Sequence, residues 1–442
     1  MKNLIKQFNQ PDTYLVISDY PEKTKKGERN YGMAWHTKEI IDAISQRYGV
    51  KHIVLAETGL DNKPKLYENN KILVLRVFDQ KHPSLFPRIL RWLFIFNNVK
   101  QVHVHSEFCA NGGMKNSILL IPFLLLIKLT GKKITYYAHN VVTELDSIAT
   151  HLNINNRFML HFLNAGLKSY YRTLGHIVDS FVVMDSIIQK RLSLFVKPSK
   201  IALNPFWITP SEAKVSEAEA RTQLKIKNDE FVIVSFGFIT YYKGSDWIIE
   251  TVKKLRKQDP FKKIRLILAG GEAYSLKDKP YYQSYYQKVL NLVKNEKNIT
   301  ITGFVAENMI EVYLKAANLV VLPYRGLIGA SGTLTHALAH GRPFVMSASM
   351  DELLDAPDVQ TVMQGLNLSK KDLTFEHKST SFSTVLKKAQ NPEYSAKLAQ
   401  FSKNIASARG KDTLVEQCFQ NVYLKKVTPS FAFFKASPVI VK

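Results

Sequence analysis

The sequence predicts an α/β protein made of two doubly wound parallel sheets in tandem, and three observations predict it. Short apolar runs alternate with helix-like segments, the pattern of βαβ units around a buried parallel sheet. The alternation breaks once, in the polar stretch Thr209 to Glu230, and then restarts. The chain has 442 residues, more than one ordinary domain, and its hydrophobic fraction of 45% is ample for two cores.

The strands of the first half are read at "TYLVIS" (from Thr13), "HIVLAE" (His52), "ILVLRVF" (Ile72), "QVHVHS" (Gln101), "KITYYAH" (Lys133), "SFVVMD" (Ser180) and "KIALNP" (Lys200). Helical patterns such as Gly32 to Tyr48 and Asn155 to Leu174 lie between them. The run "SILLIPFLLLIKL" (Ser117 to Leu129) is too short to span a bilayer and is interrupted by proline, so it reads as a buried helix. The strands of the second half are "FVIVSFG" (Phe231), "IRLILAGG" (Ile264), "NITITGF" (Asn298), "NLVVLP" (Asn318) and "PFVMS" (Pro343). Two C-terminal helical patterns follow, Pro392 to Arg409 and Asp412 to Lys426, and then a tail with no readable structure. The expected division is a first domain over 1–208, a linker with one helix over 209–230 and a second domain over 231–408. A closing segment, 409–442, is expected to cross back to the first domain.

Lys and Arg number 61 against 37 Asp and Glu, a net charge of +24, so an anionic partner is expected: nucleic acid, a membrane surface or a phosphate-bearing small molecule. Zinc-knuckle, ribonucleoprotein and basic-zipper patterns are absent, which argues against nucleic acid. Two cysteines, Cys109 and Cys418, form no disulfide framework and no metal motif, and the N-terminus is too polar for a signal peptide; a reducing, cytoplasmic setting is expected. The segments His82 to Lys100 and Asn156 to His176 are amphipathic and basic. Such segments fit either core-facing helices, the reading favoured by the sequence alone, or a membrane surface.

Ligands of doubly wound sheets sit beyond the carboxyl ends of the strands, so the loops there carry the candidate chemistry. In "VSFGFITYYKGSDW" the strand ends at Gly237, and Lys243-Gly244 opens a helix. A lysine is out of place at a positive helix terminus unless an anion binds there. "LAGG" offers Gly270 and Gly271, whose missing side chains would let a ligand approach. In "LPYRGLIGASGTLTHALAHGRPFV" the loop Gly329-Ala330-Ser331-Gly332-Thr333 exposes backbone N–H groups at a helix mouth, where a phosphate can touch the peptide. Each signal alone also fits an ordinary helix cap; all three fall at corresponding ends of one expected sheet.

The order "GFITYYKG", "LAGG", "ITGFV" and "VVLPYR…GASGTLTHALAHGRPFV" resembles the donor-binding domain of retaining glycosyltransferases of the GT-B fold, family 4. "VISDYPEKTKKGERNYGMAWHTKEII", "VHVHSE" and "ITYYAHN" resemble the opening loop and strand ends of that family's acceptor domain. The resemblance implies a GT-B protein with two Rossmann-like domains facing across a cleft. It implies that Lys243 contacts the donor diphosphate, with Gly32, Gly237, Ser331, Gly332 and Thr333 around the same phosphates. Gly303, Phe304 and Val305 would lie against the nucleotide base, with His336 near the base or ribose. His139 would face the donor sugar, and His105 and Ser106 would line the acceptor side. His139 and Lys243 are the expected catalytic groups.

Two departures from the family pattern stand out. Phe238 occupies a position usually held by arginine, which leaves one cation fewer unless Arg325 or another base compensates. The usual glutamate pair falls here on Ile328 and His336. No DxD-like acidic pair follows a strand, so neither a metal nor another cofactor is expected; the developing charge on the leaving diphosphate would fall to Lys243 and the helix-mouth amides. The implied reaction moves a sugar from a UDP or GDP type donor to a saccharide or lipid-linked acceptor, with retention. The alternatives are a non-catalytic nucleotide-sugar binder on the same fold and, least favoured, a basic nucleic-acid-binding protein.

Overall fold

The structure, a computed structural model, describes residues 1–424 apart from 25–26, 30–31, 81, 107–113, 147–155, 213, 275 and 327–330. The first half of the first lobe runs α1 (Lys2–Phe8), β1 (Tyr14–Ile17), β2 (Glu22–Thr24), β3 (Gly27–Arg29), α2 (Gly32–Tyr48), β4 (His52–Glu57), β5 (Lys65–Tyr67) and β6 (Ile72–Phe78). It continues with α3 (Leu85–Ile95), β7 (Gln101–Ser106), α4 (Met114–Leu129), β8 (Lys133–Ala138), α5 (Arg157–Ile177), β9 (Ser180–Val183), α6 (Ser186–Ser193) and β10 (Ile201–Leu203). Eight of these strands form one sheet in the order β10-β9-β8-β7-β1-β4-β6-β5, parallel except for β5. The chain winds outward from β1 on one side and resumes at β7 on the other, so the switch point lies between β1 and β7.

The second lobe runs α7 (Glu217–Gln223), β11 (Phe231–Phe236), α8 (Ser245–Leu255), β12 (Ile264–Ala269), α9 (Pro280–Val293), β13 (Ile299–Ile301), α10 (Glu307–Ala316), β14 (Leu319–Leu322), α11 (Gly332–Ala339) and β15 (Phe344–Ser347). α12 (Pro357–Gly365), α13 (Lys370–Leu373), β16 (Thr374–Phe375), α14 (Ser379–Ala389), α15 (Pro392–Ala408) and α16 (Lys411–Cys418) complete it. Its six strands are all parallel, in the order β13-β12-β11-β14-β15-β16, with the switch point between β11 and β14. β14, Leu-Val-Val-Leu, is buried at all four positions, as a central parallel strand covered by helices on both faces must be.

The polar stretch between the sheets is more than a tether. Ser216 and Glu219 cap α7 reciprocally, α7 packs on α10, and buried Arg221 donates to the carbonyls of Lys227 and Glu230 at 2.9 and 2.6 Å. The two chain crossings between lobes meet where Ile208 N donates to Arg409 O at 2.9 Å. Beyond that point α16 lays Leu414, Val415 and Cys418 against Ile40 and Ile44 of α2. One expectation is corrected. The apolar run in α4 is helical but only partly buried: Leu120, Phe123, Leu124 and Ile127 face the core, whereas Ile118, Leu119, Leu125, Leu126 and Leu129 are exposed.

Candidate active site

The expected donor side lies around the β11–β14 switch point. β11 ends at Phe236, and Gly237 turns the chain with φ of +106°, a conformation that glycine alone adopts freely. A Cβ on Gly237 would lie 2.5 Å from Lys243 Nζ and 3.2 Å from Thr333 Oγ1, so an ammonium and a helix mouth converge on bare backbone. Gly244 follows Lys243 at φ +70°, and a Cβ there would strike Pro323 O at 2.0 Å; only glycine lets the lysine-bearing turn sit against the end of β14.

The side-chain hydroxyls at the mouth of α11 are already committed. Thr333 Oγ1 donates to Phe236 O at 2.9 Å and accepts from Tyr324 at 3.1 Å, and Ser331 Oγ accepts from Leu334 N at 3.3 Å. The hydroxyl of Thr333 therefore ties α11 to β11. What remains for an anion is the backbone N–H of Gly332 and Thr333, the first residues of a helix whose amides lack intrahelical acceptors. Above Gly332 the space is open, since a Cβ there would meet nothing within 4 Å. Burial pulls the Lys243 ammonium down, while Tyr324 and Tyr242 push it up and prevail; it stays cationic at neutral pH. Its Nζ lies 5.6 Å from the centre of the Tyr324 ring.

Arg325 does not compensate for the arginine replaced by Phe238. Its guanidinium grips buried Asp246 in two-point fashion, 2.8 and 3.2 Å, and donates to Tyr241 O at 2.7 Å, while its backbone N–H donates to Tyr242 O at 2.6 Å. Arg325 thus holds the turn that carries Lys243. Opposing the cost of burial, this arginine keeps the Asp246 carboxyl below its usual range.

Gly270 and Gly271 serve a different purpose from the one expected. A Cβ on Gly270 would lie 2.0 Å from Gly237 O, and one on Gly271 would lie 2.9 Å from the backbone of Gly303. These glycines let neighbouring loops touch each other, Gly270 against Gly237 on one side and Gly271 against Gly303 on the other. Phe304 is exposed, and Val305 packs against the core. His336 lies half-buried in α11, its ring 5.4 Å from that of Phe236, and burial, with His340 adding to it, pushes it down to about 4.

On the first lobe, Gly32 opens α2, and His105, Ser106 and His139 gather at the ends of β7 and β8, all buried. His36, a residue sequence reasoning missed, joins them. Its place one turn after Gly32 on α2 was the available signal. His105 Nδ1 lies 3.1 Å from His139 Nε2 and 3.1 Å from Thr37 Oγ1, and its ring stacks on Tyr137 at 4.0 Å. Thr37 donates to Met33 O at 2.9 Å, which leaves its oxygen an acceptor; this network assigns the Nδ1 proton to His105 and the Nε2 lone pair to His139. Desolvation holds all three imidazoles neutral, His139 pushed down to about 3 and the other two well below the usual range. Their ligating nitrogens lie within 4.8 Å of one another. A cation could enter only by displacing the His105–His139 contact. Residues 328–330 lie outside the described residues, as do Cys109 and the tail.

A cavity of about 870 Å³ lies elsewhere, between α6 and the α11, β15 and α12 region of the second lobe. Its walls are mostly carbon, and none of the expected site residues lines it. The Lys243 ammonium and the mouth of α11 converge instead over Gly237.

Residues 230–367 match the family described as Glycosyl transferases group 1. No curated protein matches the sequence. Among solved structures, the chain is similar to Anabaena HepE in complex with UDP and glucose, at 14% identity and a TM-score of 0.64, covering 94% of this chain and 100% of that one. It is similar to sucrose-phosphate synthase from Thermosynechococcus elongatus at 13% identity and a TM-score of 0.66, covering 94% and 98%. It is also similar to WaaG, a glycosyltransferase involved in lipopolysaccharide biosynthesis, at 12% identity and a TM-score of 0.59, covering 92% and 98%. Two largely parallel sheets, each with a central switch point, give this chain the GT-B fold, and its segment 230–367 matches the group 1 glycosyl transferases.

Proposed function

We propose that the protein is a hexosyltransferase that moves a sugar from a UDP or GDP type donor to a saccharide or lipid-linked saccharide, with retention, in polysaccharide or glycan assembly. The observation that carries this reading is the convergence of Lys243 Nζ and the mouth of α11 on Gly237. In that position one cation and two unpaired amides meet the diphosphate as it leaves, where its negative charge grows; preorganised donors of this kind supply catalysis without a metal. Neutral His139, its Nε2 engaged by His105, keeps its Nδ1–H to donate to a sugar hydroxyl, a role of hydrogen bonding rather than charge stabilisation. Retention would follow from same-face attack, with the departing phosphate taking the acceptor proton. Gly32 would lie beside the phosphates, Phe304 and Val305 against the base and His336 by the ribose. His105 and Ser106 would shape the acceptor side from behind. The setting is cytoplasmic, with peripheral attachment to a membrane.

UDP-, GDP-, ADP- and dTDP-sugars, tested one by one in thermal melts, check the donor reading. One of them should raise the melting temperature by mass action, and Lys243→Ala should lose most of that rise. An unchanged rise in the variant would remove Lys243 from the donor site. Nucleotide diphosphate release in the presence of acceptors and a chelator separates a metal-independent transferase from a mere binder.

A further inference from the structure

α3, α4 and α5 stand side by side on one face of the first sheet, α3 against α4 and α4 against α5. Across these helices the sequence has seven Lys or Arg and no Asp or Glu. Their outward side chains are large and apolar. Phe158 is 83% exposed, Leu129 75%, Phe162 68%, Phe94 65% and Ile118 63%. From Ile118 to Ile127 α4 is apolar around its whole circumference, yet it has core on one side only. A helix of that composition at a surface is unsatisfied in water. Arg88, Arg91, Arg157, Lys168 and Arg172 are exposed around it. Two acids at its border are engaged, Asp179 with Lys128 and Asp146 with Asn164.

We propose that this acid-free face is the surface by which the protein docks on an anionic lipid bilayer, the apolar side chains entering the headgroup boundary and the arginines and lysines meeting lipid phosphates. An apolar patch alone would suit a protein partner equally; a basic rim with no acid inside it is complementary to a negative membrane surface. The inference deepens the proposed function. The inner sides of α3 and α4, through Ile89 and Phe123, line a small cavity that ends on Asp19, Gln80 and His105. A protein lying on these helices therefore holds its acceptor side at the membrane, where a lipid-linked acceptor resides.

The test is sedimentation of the full chain with vesicles of phosphatidylcholine alone or of equal parts phosphatidylcholine and phosphatidylglycerol. The wild type should partition onto the anionic vesicles at least about tenfold better than onto the neutral ones in about 0.1 M salt, and the preference should shrink in about 1 M salt, where the Debye length falls to about 3 Å. Phe158→Ser/Phe162→Ser should cut partitioning by about tenfold or more. Leu125→Glu/Leu126→Glu should do the same from α4, should the first pair prove hard to express. Equal partitioning onto both vesicle types, or variants that bind as the wild type does, would overturn the proposal. So would a light-scattering dimer that the variants dissociate, since the face would then be a protein interface. Both variants should keep the nucleotide-sugar thermal shift. If the wild type shows no such shift yet still binds anionic vesicles, the transferase reading fails and the docking surface stands.

Discussion

Gly332→Ala separates a glycine needed by the fold from one needed by a ligand. A Cβ at Gly332 meets nothing within 4 Å, and its φ is not in the left-handed region, so the empty protein should accept alanine. In the first turn of a helix the change should be neutral or stabilising by up to about 1 kcal/mol. A phosphate oxygen bonded to the Gly332 or Thr333 amide would, however, occupy the space the methyl takes. Losing one hydrogen bond to a charged group costs about 1.5–3 kcal/mol, or roughly a tenfold to hundredfold weaker donor. Thermal melts read both effects. At a donor concentration about 100 times Kd the stabilisation is about 2.7 kcal/mol, and a tenfold weaker Kd leaves about half of it. Gly270→Ala is the comparison: its Cβ would fall 2.0 Å from Gly237 O, backbone against backbone, and should lower the melting temperature with no ligand present. An alanine at 332 that keeps the full donor-induced shift would refute the reasoning, because the amide could not then face the phosphate.

Asp246→Ala should cost about 3 kcal/mol by stranding Arg325, seen in chemical denaturation, and should also weaken donor binding because the Tyr241–Lys243 turn loses its anchor. His139→Gln should lower turnover by about a hundredfold while leaving the donor-induced thermal shift in place; equal loss of both would make the residue structural. Stability should fall as pH drops below 6.5. His139 has a folded pKa of about 3, depressed below its unfolded value, so its contribution is complete above pH 6.5 and is lost toward pH 3. At pH 5 that loss is about 2 kcal/mol for this group, and denaturation curves of His139→Gln at pH 7.5 and 5 should show a shallower pH dependence than the wild type.

The fold was legible because its signal is local. Runs such as Leu319 to Leu322 are apolar at every position, and only a strand covered on both faces consumes such a run. Lys243 was legible for a similar reason: a cation at a helix start contradicts the dipole, and the contradiction shows in the sequence itself. Gly270 and Gly271 misled because a missing side chain reads the same whether a ligand or another loop fills the space. The occupants, Gly237 and Gly303, come from distant parts of the chain. Arg325 looked available to a phosphate because Asp246 lies 79 residues away. The exposed half of α4 was hidden for the same reason: what covers a helix depends on its neighbours, and α3 and α5 cover only part of it.

The acceptor side carries a constraint of its own. The cavity that ends on Asp19 and His105 has about 30 Å³ available, room for one or two water molecules and not for a sugar ring. Because His105 stacks on Tyr137 and spends its Nδ1 on His139 and Thr37, it has little left to offer a substrate directly. On the proposed function His105 is therefore a positioning residue. It fixes the tautomer and the ring of His139, the imidazole at the end of β8. On the proposed function an acceptor hydroxyl would then reach the anomeric carbon from outside this cavity, on the side where the diphosphate leaves. Such an approach would suit same-face transfer, with the leaving phosphate as the base. Replacing His105 with phenylalanine, which keeps the stack but removes the Nδ1 donor, should accordingly lower turnover without changing acceptor KM; a large rise in KM with turnover intact would instead make His105 a direct acceptor ligand.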